Sequence, residues 1–364
     1  MELYIHIPFC KKKCDYCDFY SIMPCEKNNL EKYIPTLLKE ITLAGNKYGN
    51  RDISTIFIGG GTPSLLTNSQ LDSIFETLRK SFNLSNVEEI TIESNPESIT
   101  EDFLKHCIEL GINRISIGVQ SLFDDNLKAV GRIHDQKTAL ESIKLANKYF
   151  DKISADLIIG LPYDTEEIVR NEIKKLAKCV NHMSCYELML NPDTKLVKNI
   201  EDKKLFVPND DEVASLFDAA IDELQNNGFT RYEVSNFSKN HICKHNMGYW
   251  DREEYLGFGP SAHSFLKDEK EIRFANVDDI NQYINIVESK NIYPFMDVEI
   301  LSQKDIEEEK IFLSLRTTKG INIKYFTKAQ IEKFKDFIIV KGDNVSLNNK
   351  GFAVMDSITI DLFP

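Results

Sequence analysis

Short runs of β-branched and aliphatic residues alternate with amphipathic stretches through the first half of the chain, placing candidate strands at 3–7, 53–58, 89–93, 114–118, 153–159 and 184–190. Between the first two, Leu30, Tyr33, Ile34, Leu37, Leu38, Ile41 and Ala44 recur at the three-and-four spacing of one helical face, and Gly45 and Gly49 predict its end. Such alternation predicts an α/β fold with a parallel sheet, either doubly wound or a partial (β/α)6 TIM-like barrel. In both, ligands gather at the C-terminal ends of the strands. The unusual residues of this chain stand there: Cys10, Cys14 and Cys17 after the first strand, Gly59, Gly60, Gly61, Thr62 and Pro63 after the second, Glu93, Asn95 and Pro96 at the third, Gln120 and Ser121 at the fourth, and Gly160, Leu161 and Pro162 after the fifth. The pattern predicts one site at one rim.

After Pro192 the alternation weakens. A helix over 211–227 is expected from Val213, Leu216, Phe217, Ala220, Ile221 and Leu224, with Asn209 and Glu212 as a capping box and Gly228 as the stop. A Gly-rich aromatic region over 245–265 follows, then an acidic helix over 305–318 and a hairpin over 337–347 around Gly342, Asp343 and Asn344. These features divide the chain into a core barrel at 1–195, an extension at 196–300 and a small winged-helix-like domain at 301–364.

The 364 residues and 42% hydrophobic content suffice for two or three domains with a sizeable core. Against 44 basic residues stand 57 acidic ones, a net charge of -13, which disfavours a nucleic-acid partner and anionic membranes taken as a whole. No apolar run approaches the roughly 20 residues that span a bilayer. The expectation is a cytoplasmic protein with no cleaved signal and with its eight cysteines reduced.

Cys10, Cys14 and Cys17 form a C-x3-C-x2-C spacing in a loop after a strand. Three arbitrary cysteines are more often core or zinc ligands, but structural zinc wants four protein ligands, and two-cluster ferredoxins use a different run. Three thiolates suit a [4Fe-4S] cluster with one iron left open. Lys11, Lys12 and Lys13 read mainly as a solvated face, whose charge would also favour cluster reduction. Cys25, Cys107, Cys179 and Cys185 read as small core residues.

The cysteine loop followed by Gly59, Gly60, Gly61, Thr62 and Pro63 resembles the radical S-adenosylmethionine (SAM) superfamily. That resemblance implies SAM chelating the open iron and reductive cleavage to a 5'-deoxyadenosyl radical. Tyr4, Ile5, His6, Ile7, Pro8 and Phe9 ahead of the loop, with Glu93, Gly118, Val119, Gln120, Ser121, Arg132 and Asp156, resemble the oxygen-independent coproporphyrinogen III oxidase group over most of the chain. The resemblance implies SAM contacts at Tyr4, Gly60, Gly61, Thr62, Glu93, Gln120, Arg132 and Asp156, an adenine stack on Tyr16, and a further contact at Met189.

The decarboxylating oxidases carry another cysteine two residues after the third ligand, where this chain has Phe19, and an N-terminal extension ahead of the cluster strand, whereas here Tyr4 is almost the first residue. His245, Asn246, Met247, Gly248, Tyr249 and Trp250 instead match the H-N-x-x-Y-W motif of the heme chaperones that resemble those oxidases. This implies heme as a third cofactor with His245 as its axial ligand, Cys243 next in line and His263 after it, and Tyr249 and Trp250 as flat surface for the macrocycle. Read without the family, His245 is a satisfied core histidine. The implied function is heme delivery to hemoproteins, among them membrane-bound respiratory enzymes, with transient membrane association and a homodimer allowed. The alternative is oxidative decarboxylation of coproporphyrinogen III. The segment with Glu309, Leu313, Leu315, Arg316, Gly320 and Ile321 resembles the family's C-terminal domain, and its acidic run argues against DNA.

Overall fold

The computed structural model describes residues 1–23 and 27–363, so Cys25 lies outside the described residues. Strands β1 (Glu2–Ile7), β2 (Thr55–Gly60), β3 (Glu89–Ser94), β4 (Arg114–Gln120), β5 (Ile153–Ile159) and β6 (His182–Glu187) stand in chain order, each paired in parallel with the next. Leu3, Ile5, Ile56, Ile58, Ile92, Ile115, Ile117, Ala155 and Leu157 are fully buried under the intervening helices, the usual reason that strands of a parallel sheet read as near-continuous apolar runs. On the other face, Tyr4, Phe57, Glu93, Ser116, Asp156 and Ser184, one from each strand, border a single small cavity. The sheet therefore curls into an open barrel with a polar interior.

The region after residue 195 builds on both edges of this sheet. β8 (Asn236–Ser238) pairs antiparallel with β6, and β7 (Thr230–Arg231) with β8. On the far side β9 (Tyr255–Phe258) pairs in parallel with β1, and β10 (His263–Lys267), β11 (Glu271–Asn276) and β12 (Phe295–Ile300) continue outward antiparallel. A second, three-stranded sheet lies near the C-terminus, in the order β13 (Ile321–Asn322), β15 (Asn344–Leu347), β14 (Ile338–Lys341). With the Gln303–Leu315 and Met355–Leu362 helices it encloses a separate apolar core around Leu315, Val345 and Ile358. Glu309 joins this unit to the sheet by accepting from Arg252 at 2.9 Å and Arg273 at 2.8 Å.

The Asp210–Asn226 helix carries the expected Asn209–Glu212 capping box, and β14 and β15 form the expected hairpin. Three details differ. The first helix, Lys27–Tyr48, runs through Gly45 instead of ending there: a Cβ at Gly45 would lie 2.5 Å from the Ser81 Cβ, so the glycine lets two helices touch. β6 stops at Glu187, leaving Leu188, Met189 and Leu190 beyond it. The Gln303–Leu315 helix begins two residues early, because Ser302 and Asp305 form its capping box. Among the described residues no helix is long and apolar enough to cross a membrane.

Candidate functional site

The cysteine loop leaves the C-terminal end of β1 and is pinned at its base, where the Cys10 N–H donates to the Ile22 carbonyl at 3.0 Å and the Ile22 N–H to the Pro8 carbonyl at 2.7 Å. Buried Asp15 anchors its middle. Its carboxylate pairs with Lys195 Nζ at 2.9 Å, its N–H donates to the Val130 carbonyl, and its carbonyl accepts from the Leu196 N–H. The loop is thereby held between β1 and segments 115 and 180 residues away in sequence.

Each of the three thiols faces a cavity of about 330 Å³ and has its own donor. Thr62 Oγ1 lies 3.6 Å from Cys10 Sγ, Arg132 Nη1 lies 3.5 Å from Cys14 Sγ, and the Phe19 backbone N–H serves Cys17. Burial pushes the Cys17 thiol up to about 11 and raises Cys10 as well, so loading of iron would release protons here. Among the described residues no three His, Cys, Asp or Glu side chains gather tightly enough to hold a single metal ion. Three sulfurs spread around one cavity, each with a hydrogen-bond donor, fit a multi-iron cluster rather than a lone zinc.

The same cavity is lined by Tyr16, Gly60, Gly61, Glu93, Gln120, Arg132, Asp156 and Met189 of the sequence-derived set. Gly60 has φ +109°, and a Cβ on it would meet the His6 ring at 2.7 Å; one on Gly61 would meet the Phe9 carbonyl at 2.7 Å. These glycines let β2 pass close to the base of the cysteine loop. The Gly60 N–H donates to Glu93 at 3.1 Å. Burial, followed by the charge of Asp156, raises the Glu93 carboxyl to about 7, and burial also raises Asp156, opposed by donors from Ser184 and Ser116 and by Arg114. Gln120 is held at φ +65°, uncommon outside glycine, at a register shift between β4 and β5. Tyr16 packs with Val130, Ile158, Leu161 and Leu188, an apolar slot suited to a flat base.

Tyr4 and Thr62 do not line this cavity. Tyr4 bonds His6 Nδ1 at 3.0 Å and faces the lower cavity, while Thr62 reaches the site through Cys10 and through Asn95. Asn95, absent from the sequence-derived set, donates to Thr62 Oγ1 at 2.9 Å and accepts from Arg132 at 2.8 Å. Its position beside Glu93 at a strand end was the available signal.

The histidine of the aromatic motif lies elsewhere. The Lys244–Trp250 helix packs under the N-terminal ends of the strands, at the opposite end of the barrel from the cysteines. His245 is 1% exposed, and both of its ring nitrogens are engaged, with Thr55 Oγ1 at 2.7 Å and Tyr249 Oη at 2.8 Å. Thr55 Oγ1 also lies 3.1 Å from Glu2 Oε1, so one hydroxyl bridges the histidine and a buried carboxyl. The ring also stacks on Phe57 at 5.2 Å, and burial lowers its pKa to about 3. The adjoining cavity is about 190 Å³, below the roughly 300 Å³ at which ligand pockets begin. The structure thus encloses the expected axial ligand: both ring nitrogens of His245 are hydrogen-bonded, and the space beside the ring is smaller than a macrocycle. Cys243 is buried beside it against Glu89, Trp250 lies under the Arg316 guanidinium at 4.7 Å, and His263 is exposed on β10. Cys107 and Cys185 are buried core residues as expected, and Cys179 is half-buried.

Comparison with known proteins agrees with this architecture. Residues 4–176 match the radical SAM superfamily. The chain is 34% identical to the heme chaperone HemW of Bacillus subtilis over 330 residues, covering 89% of this chain and 86% of the relative. It is 33% identical over 371 residues to the mitochondrial radical S-adenosyl methionine domain-containing protein 1 of Danio rerio, covering 98% and 82%. The structure of coproporphyrinogen III oxidase (HemN) from Escherichia coli superposes over 100% of this chain and 89% of its own with a TM-score of 0.85 at 22% identity, which establishes a shared fold. The chain thus belongs to the heme chaperone HemW family of the radical SAM superfamily.

Proposed function

We propose that this protein is a heme chaperone with a radical SAM core, which binds heme and passes it to hemoproteins. The observation that carries the reading is the 34% identity to the Bacillus subtilis heme chaperone HemW along 86% of that relative. Cys10, Cys14 and Cys17 would hold a [4Fe-4S] cluster, and the cavity beside them would take SAM. Together the two supply one-electron reduction of a sulfonium when bound. Tyr16 and its apolar neighbours offer the face for adenine, Glu93 and Asp156 accept from amino or ribose groups, and Gln120 reaches in from its strained backbone. Arg132 is already committed to Asn95, Gly118 and Cys14, so it fixes the cluster loop more than it clamps a free carboxylate. Tyr4 and Thr62 position other groups.

The reading includes a division into core, extension and C-terminal domain near residues 195 and 300, a cytoplasmic location, recipients among membrane-bound respiratory hemoproteins reached by transient membrane contact, and a homodimer. Heme titration of the anaerobically reconstituted protein, followed in the Soret region, tests the central claim. Saturable binding near one equivalent is expected. Absence of binding, together with coproporphyrinogen-dependent release of 5'-deoxyadenosine, would replace it with porphyrinogen decarboxylation.

A further inference from the structure

The Glu166–Leu176 helix buries Val169, Glu172, Ile173 and Leu176, at the three-and-four spacing of an apolar stripe. Glu172 is the exception in that stripe. It is 5% exposed, has no ion-pair partner among the described residues, and does not line the cluster cavity. A carboxyl in such a place is costly unless its oxygens are used. Here Oε1 accepts twice, from Ser121 Oγ at 2.5 Å and from the Leu122 N–H at 2.7 Å, and Ser121 Oγ in turn accepts from the Phe123 N–H at 2.9 Å. One buried carboxyl oxygen thus gathers the three residues that follow β4. Burial raises the carboxyl to about 7, and Oε1 can accept these bonds in either protonation state.

What the carboxyl holds in place is the turn at Gln120. The Ser121 N–H donates to the Val119 carbonyl at 2.8 Å, closing a three-residue turn with Gln120 at its centre and φ +65°. A turn of that hand is rare and strained, and it persists only where its surroundings impose it. The side chain is aimed as a result. A Cβ on Gly118 would lie 2.9 Å from Gln120 Nε2 and 3.1 Å from Asn95 Oδ1, so the amide lies over Gly118 beside Asn95, in the wall of the cavity.

The turn after β5 is built alike. Asp164 accepts from the Gly160 and Leu161 N–H groups at 2.9 Å each, and Leu161 packs with Tyr16. Asp164 belongs to the loop that it holds, whereas Glu172 reaches its turn from a helix 51 residues beyond Ser121.

We infer that Glu172 is a positioning residue for SAM: it clamps the turn after β4 and thereby aims Gln120 into the cofactor cavity without touching the cofactor itself. The inference rests on the reading of this cavity as the SAM site. It gives the strained backbone at Gln120 a cause, and places that cause behind the wall of the cavity.

SAM is titrated calorimetrically into the anaerobically reconstituted full chain with the cluster left oxidised, so that binding is read without cleavage. Iron–sulfur absorption and far-ultraviolet circular dichroism verify each variant. Glu172→Ala should weaken SAM about tenfold, whereas Glu172→Gln, whose amide oxygen can accept both bonds, should stay within about twofold of the wild type. Gln120→Ala should also weaken SAM about tenfold. Adding Glu172→Ala to it should cost less than about twofold more, because the clamp then has nothing left to aim. Should Glu172→Ala fail to fold, Ser121→Ala takes its place, with a loss of about threefold that likewise disappears in the Gln120→Ala background. Losses that multiply in the double variant, wild-type affinity in the folded alanine variants, or an equal loss in Glu172→Gln overturns the clamp and leaves the SAM site standing. No saturable SAM binding by the wild type overturns both.

Discussion

At the C-terminal ends of β1 to β6 the side chains that matter open onto a cavity and then onto solvent, with Phe19 and Met189 bare at its rim. At the N-terminal ends of the same strands, Glu2, Thr55, Glu89, Arg114, Ser154 and His182 are all buried beneath the helix that carries His245. They form a connected network. Glu89 accepts from the His245 N–H, the Cys243 N–H donates to Tyr232 Oη, and Tyr232 in turn bonds His182, which bonds Ser154 at 2.7 Å. Polar residues that are equally conspicuous in sequence thus do different work at the two ends. Those at the top are positioned to meet ligands, and those at the bottom bond mainly to one another and close the barrel floor, where Glu2 Oε2 and Glu89 Oε2 are left without a hydrogen-bond partner.

Cys14→Ala separates the ends most sharply. It should abolish the iron–sulfur absorption entirely while far-ultraviolet circular dichroism stays native, since Cys14 belongs to no core cluster. A globally unfolded variant would contradict the independence of the two ends.

His245→Ala should do the reverse. It leaves Thr55 and Tyr249 without their partner and opens a void against Phe57, for a cost of about 2–4 kcal/mol in denaturant unfolding with cluster content unchanged. Wild-type stability in this variant would show that the floor does not depend on these bonds.

A smaller effect should appear with pH. Burial raises the Glu2 carboxyl from 4.5 to about 8, so its contribution to stability is complete below pH 4.5 and is lost as pH rises through about 8. His245 has the opposite sign, being lowered from 6.5 to about 3, and its contribution is lost as pH falls below 6.5. The floor is accordingly most stable in mildly acidic solution. Glu2→Gln should flatten the decline in unfolding free energy between pH 6 and 9 by up to about 2 kcal/mol. An equal decline in both proteins would mean that Glu2 is ionised in the fold.

Much of the top was legible in the sequence because strand ends announce themselves: an apolar run stops, and cysteines, glycines or a carboxylate follow. The bottom was not. Nothing in the order His245 to Trp250 says which end of the barrel the helix will cover, and a histidine between aromatics has the same spelling whether it meets iron or Thr55. Gly45 shows the same ambiguity, since a glycine that ends a helix and one that admits Ser81 look alike until the neighbour is known. The Asp15–Lys195 pair joins residues far apart in the chain with no periodic signal between them.

The placement of β1 has a consequence for how the chain is made. One edge of β1 meets β2 at Glu2↔Thr55, and the other meets β9 at Glu2↔Tyr255. A ribosome adding about 5–20 residues per second needs on the order of ten to forty seconds to go from the first partner to the second. Through that interval a nascent apolar strand keeps one row of backbone groups bare, and the cysteine loop hangs from an element not yet locked in place. Insertion of iron is therefore expected to follow completion of the polypeptide, so that the C-terminal half governs when a site written almost wholly in the N-terminal half becomes usable.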